Sequence, residues 1–132
     1  MKTRIIVGAT VLVALLGVGT FVSRAGEVGG RRQWTVINFR DAVQVKDQVV
    51  MGPVLIVHDN EKMTRGEPCT TFYRFDPAKG PQEELISFHC LPVQRSVVDH
   101  TTFKLVDTAV GCKRLTEYQI AGDSEGHGIP LK

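Results

Sequence analysis

The sequence predicts an all-β fold: an antiparallel sandwich or small barrel of about seven strands, preceded by an N-terminal apolar helix. Three observations predict it. Short β-branched and aromatic runs recur about every ten residues, each bounded by Gly, Pro, Asp or Asn. Beyond the first segment, no window of helix length keeps apolar residues at i, i+3, i+4 and i+7. Two cysteines, Cys69 and Cys90, fall where one hairpin would set them opposite each other.

The first element is the apolar helix. Lys2 and Arg4 precede "IIVGATVLVALLGVGTFV", residues 5–22, which carry no charge. The run is at the short end for a spanning helix. Ser23 and Ala25 supply small residues at the −3 and −1 positions of a signal-peptidase site. Residues 1–25 are therefore either a signal peptide or a transmembrane anchor. Both readings carry the remaining chain out of the cytoplasm, to the periplasm or cell envelope. Lys2 and Arg4 stay inside. "GEVGGRR", residues 26–32, reads as a Gly-rich linker. Residues 33–132 form one β-domain, large enough for one modest core.

The strands follow in order. "QWTVINF" (residues 33–39) places Trp34, Val36 and Asn38 on one face and Thr35, Ile37 and Phe39 on the other. "AVQV" alternates, "KDQ" turns, and "VVM" resumes. Gly52 and Pro53 break the run before "VLIVHD". "HDNEK" reads as a polar loop. "TTFYRF" and "EELISFHCLPV" flank the turn "DPAKGPQ". "HTTFKLVDTAV" and "LTEYQI" flank "GCKR".

The turn "DPAKGPQ" carries the strongest local inference. Centred between Lys79 and Gly80, it sets Phe72 opposite Ser87, Tyr73 opposite Ile86 and Cys69 opposite Cys90. Directly opposed residues lie close enough for a disulfide, and an exported chain meets an oxidising compartment. The expectation is a Cys69–Cys90 staple, contributing on the order of 3 kcal/mol in the chain-entropy model. Redox chemistry of the CxxC type and covalent c-type haem lack their motifs. A zinc site drawn from Cys69, Cys90, Cys112 and a histidine has spacing unlike a closed structural site. His89 points to the face opposite Cys90. Cys112, in "VGCKR", is left over: a free thiol, an alternative disulfide partner or a point of intermolecular linkage.

Catalytic signatures are sparse. GxSxG and HExxH do not occur. Glu83 and Glu84 are adjacent in a strand and face opposite ways, as do Asp99 and His100. Asp59, Glu61 and Glu67 lack the spacing of a calcium loop. In "AGDSEGHGIPLK", Gly122, Gly126 and Gly128 allow tight turns, and Asp123, Ser124, Glu125 and His127 crowd polar groups together. The expected reading is a glycine-rich turn into a last short strand, with an anion or metal contact as the sharper alternative. No catalytic, cofactor-binding or metal-ligating residue is assigned.

Charge bears on partners. Lys2, Arg4 and Arg24 account for three of the 16 basic residues, which leaves 13 against 14 acidic residues in the exported part. Arg31–Arg32 and Lys113–Arg114 are not interleaved with aromatics, so nucleic-acid binding has little support.

"INFRDAVQVKDQVVMGPVLIV", "FYRFDPAKGPQEELISFHCLPV" and "LTEYQIAGDSEGHGIPLK" together resemble a group of small exported all-β proteins common in acidobacteria. The group ends in a "W.YPGD..G..F.YP" segment. Tyr118 matches its aromatic, Gly122 and Asp123 its "GD", Gly126 the next glycine, and Ile129 and Pro130 its end. "MGPVL" replaces the group's "PAGTY", and its pattern lacks the paired cysteines. The resemblance implies an exported β-domain and supplies no catalytic residues. The expected function is a non-catalytic structural or interaction module. If residues 5–22 are retained as an anchor, the natural form is an accessory subunit of a membrane or envelope complex. The alternative is an exported β-barrel that encloses a small apolar ligand.

Overall fold

Alternation builds the first strand. In β1 (Arg32–Val45) Gln33 and Phe39 turn inward, while Val36 and Asn38 are exposed. A computed structural model describes residues 32–109 and 111–131 of the chain. The expected leader, with its apolar run at residues 5–22, lies outside the described residues. Among the described residues no helix is long and apolar enough to cross a membrane.

After β1 come β2 (Gln48–Asp59), α1 (Asn60–Thr64), β3 (Thr70–Asp76) and β4 (Gly80–Phe88). The second half holds β5 (Leu91–Gln94), β6 (Thr102–Asp107), β7 (Lys113–Gln119) and β8 (Glu125–Gly128). The strands form one mixed sheet in the order β4-β3-β2-β1-β7-β8-β5, with β6 also paired to β7. The all-β class is as the sequence predicts. Among the described residues the count is eight rather than seven, and the sheet is not wholly antiparallel. β1 and β7 run parallel where Val43 meets Lys113 and Gln44 meets Arg114.

Three boundaries also differ from expectation. Gly52 and Pro53 do not end a strand. β3 pairs with β2 only from Val54 to His58, so Pro53 lies where β2 has a single neighbour and a missing N–H is tolerated. Residues 80–94 divide into β4 and β5 around His89 and Cys90. "HDNEK" is not a plain loop: Asp59 accepts from the Glu61 and Lys62 N–H groups at 2.9 and 3.4 Å and caps the short α1.

The sheet is open, since β4 and β5 at its ends do not pair, and the core shows how it folds over. Phe72 on β3 and Tyr118 on β7 are fully buried, with ring centroids 6.3 Å apart. Thr70 Oγ1 and Tyr118 Oη are 2.6 Å apart. β3 and β7 are not neighbours in the sheet, so the sheet folds over and its two halves face each other. Val54, Ile56, Phe72 and Leu115 fill the space between. Each such side chain contributes roughly 1.5–3 kcal/mol on burial.

Candidate functional site

Strand period directs β2 into this core. Val54, Ile56 and His58 occupy alternate positions, and all three are buried. His58 is thus placed by the same alternation that places its apolar neighbours. Neither of its ring nitrogens has a hydrogen-bond partner among the described residues. Burial, and then the nearby His127, lower its pKa to about 4.

Four short connections bring the other groups to it. The Asp59 N–H donates to the Cys69 carbonyl at 2.9 Å, which ties Cys69 to the end of β2. Cys90 lies just past β4, and its N–H donates to Cys69 Sγ at 3.3 Å. Burial and then the Cys69 sulfur push the Cys90 thiol up to about 12. From β8, His127 sets Nδ1 3.7 Å from Cys90 Sγ and Nε2 3.3 Å from Asp123 Oδ2. The His127 ring stacks on Tyr118 with centroids 4.9 Å apart and lies 4.2 Å from His58. Burial alone would raise the Asp123 carboxyl, but the hydrogen bond with His127 and that from the Glu125 N–H outweigh it and hold it low. Burial pushes the Tyr118 phenol well up.

His58, Cys69 and Cys90 each offer a donor atom, and these atoms lie within 4.8 Å of one another. His127 stands beside them. The line Asp123–His127–Cys90 has the order of a nucleophilic relay, but both histidines are 0% exposed and Cys90 is 6% exposed. Reactive thiols sit in partly exposed, electropositive surroundings, whereas this one is sealed in and its pKa is raised.

The structure brings Cys69 and Cys90 together, with their sulfurs 2.9 Å apart and both residues free thiols. A disulfide bond is about 2.05 Å long. The pair is not opposed within the ladder as the turn implied. Thr71 pairs with Ser87, Phe72 with Ile86 and Tyr73 with Glu84, and irregularities on both sides of Tyr73 shift the register. The ladder ends at Thr70 and Phe88, and the cysteines meet beyond it.

Other expected residues lie elsewhere. Cys112 sits half-buried before β7, outside the cluster, so the four-residue zinc set weighed on the sequence does not assemble. His89 is exposed, whereas Cys90 beside it is buried. Asp99 and His100 do meet, at 2.8 Å, because they lie between strands rather than within one. Of the three C-terminal glycines only Gly122 has positive φ, +84°. Gly126 and Gly128 belong to β8, where a Cβ on Gly126 would run into the Glu117 carboxylate. Sequence reasoning missed His58 altogether, although its parity with Val54 and Ile56 was the available signal.

No protein-family model, curated protein or solved structure matches this chain.

Proposed function

We propose that the chain is a non-catalytic exported β-domain that works as a structural or interaction module, docking on other envelope or membrane proteins. With residues 5–22 retained as an anchor, it serves as an accessory subunit of a membrane complex. The observation that carries this reading is the outer face of β1, β2 and β3. Val36 pairs with Leu55 and Leu55 with Tyr73, while Trp34 pairs with Val57. All five alternate with residues that point into the core. The first half of the sheet therefore carries apolar side chains on its outer face as well: Val36 is 41% exposed, Trp34, Val57 and Tyr73 are half-buried, and Leu55 is buried beneath them. A half-solvated antiparallel sheet usually presents polar residues there. The burial of the thiol–imidazole cluster supports the same reading.

The test is a mild-detergent extraction of wild-type chain and Val36→Lys from the native envelope. The wild type should bring down a defined partner and the variant should not, with unchanged circular dichroism. Identical captures, or none with either chain, would reject the docking face.

The exported ligand-binding module is a second reading. A cleft of about 520 Å³ opens where β1 is irregular between Phe39 and Val43, with Leu105, Gly111 and Cys112 on its far wall. That volume is within the range of small-molecule sites.

A further inference from the structure

We propose that His58, Cys69, Cys90 and His127 form a closed binding site for one zinc ion. The inference is independent of the docking face. It rests on the His58 ring, fully buried with both nitrogens unpartnered among the described residues, at the centre of a soft donor set. A buried polar group without a partner is costly, and three donors converge within 4.8 Å. His127 supplies the fourth from 3.7 Å beyond Cys90.

The chemistry selects the ion. Two sulfurs and two imidazoles are the donor set of tetrahedral structural zinc, while calcium and magnesium take oxygen. Asp123 engages Nε2 of His127, which leaves Nδ1 for the metal, the usual carboxylate support of a ligating histidine. On binding, each thiol loses its proton and forms a sulfur–zinc bond, so two protons leave as one Zn²⁺ arrives. The ion and two thiolates sum to zero charge, which a dry interior tolerates. With sulfur–zinc bonds near 2.3 Å, two sulfurs on one tetrahedral ion stand about 3.8 Å apart, so the 2.9 Å pair opens by about 0.9 Å.

The full chain, reduced and with its thiols counted, is titrated with zinc chloride alone. The expected result is one ion per chain, about two protons released, and a rise in melting temperature that a chelator reverses. Cobalt(II) in its place should give the intense visible and thiolate charge-transfer bands of a tetrahedral sulfur–nitrogen site. Cys69→Ser and Cys90→Ser should abolish both signals, and Cys112→Ser should leave them unchanged. Asp123→Ala, a positioning change, should lower zinc affinity about 10–100-fold, and His58→Ala should lower it further. If these variants do not fold, the wild-type zinc and cobalt titrations decide alone. Reduced wild type that binds no zinc would overturn the proposal. So would a six-coordinate cobalt spectrum, binding of copper(I) without zinc, or envelope-derived protein with Cys69 bonded to Cys90 and no metal.

Discussion

The two halves of the sheet are held by different means. β1 to β4 form a meander of long strands, each paired with the next through eleven, five and six residue pairs. β5 and β8 have four residues each, and β5 pairs with β8 rather than with its sequence neighbour. Polar side chains supply what the short ladders lack. Arg95 donates twice to the Glu117 carboxylate, at 2.8 and 2.7 Å. Gln119 Nε2 donates to the Ser96 and Asp123 carbonyls at 2.8 and 2.9 Å. β1 to β4 depend on apolar burial and local backbone pairing; β5 and β8 depend on a few directed contacts. Damage to the first should be global, and damage to the second local.

The largest effect tests the shared core. Phe72→Ala removes a fully buried ring that touches Phe88 and Tyr118, and should cost about 3–5 kcal/mol. Urea unfolding should remain one transition with a lower midpoint. Two separated transitions would mean that the halves do not share a core.

Gly126→Ala acts on the second half. The new methyl group displaces the Glu117 carboxylate from Arg95 and should cost about 1–3 kcal/mol by overpacking. Hydrogen exchange should speed at β5 and β8 and stay unchanged at Val54 to His58. Uniform acceleration would contradict the contrast.

Tyr118→Phe cuts one link across the halves, its contact with Thr70. A loss of about 1 kcal/mol is expected, rising if the stranded Thr70 hydroxyl finds no water. Adding Thr70→Val to the Tyr118→Phe variant should recover part of it, and no recovery would assign the loss to packing.

The smallest effect is a pH dependence. The Arg95 hydrogen bonds hold the Glu117 carboxyl below its ordinary range. Its stabilisation is therefore complete above the unfolded value of about 4.3 and is lost as pH falls through the lower folded value. Acid should loosen β5 and β8 amides first in wild type, with the lag between halves shortened in Arg95→Ala. A lag equal in both proteins would remove Glu117 from the explanation.

The contrast also explains what could be read in advance. Strands of the first half are visible because hairpins and alternation are local: Thr35, Ile37 and Phe39 separate from Trp34, Val36 and Asn38 on parity alone. The β1–β7 parallel contact joins residues far apart in sequence, and no local pattern encodes it. Cys69 and Cys90 could be paired from the turn between them, although the shift around Tyr73 altered how they meet. The histidines could not be found that way. His58 and His127 come from opposite halves, and their meeting follows from the folding-over of the sheet. Gly126 looked like a turn residue because Gly122 and Gly128 lie close to it in sequence; the Glu117 side chain above it is the actual constraint.

The β1–β7 joint has a consequence for synthesis. A chain emerging from its N-terminus completes β1 to β4 before β7 exists, and its inner face stays wet until then. Both sulfurs are present once Cys90 has emerged, whereas His127 follows 37 residues later. During that interval the thiols are accessible to any oxidant, and after it they are sealed behind two imidazoles. The fate of the sulfur pair is thus a race between oxidation and closure, and slowing the arrival of β8 relative to β4 would favour the oxidant.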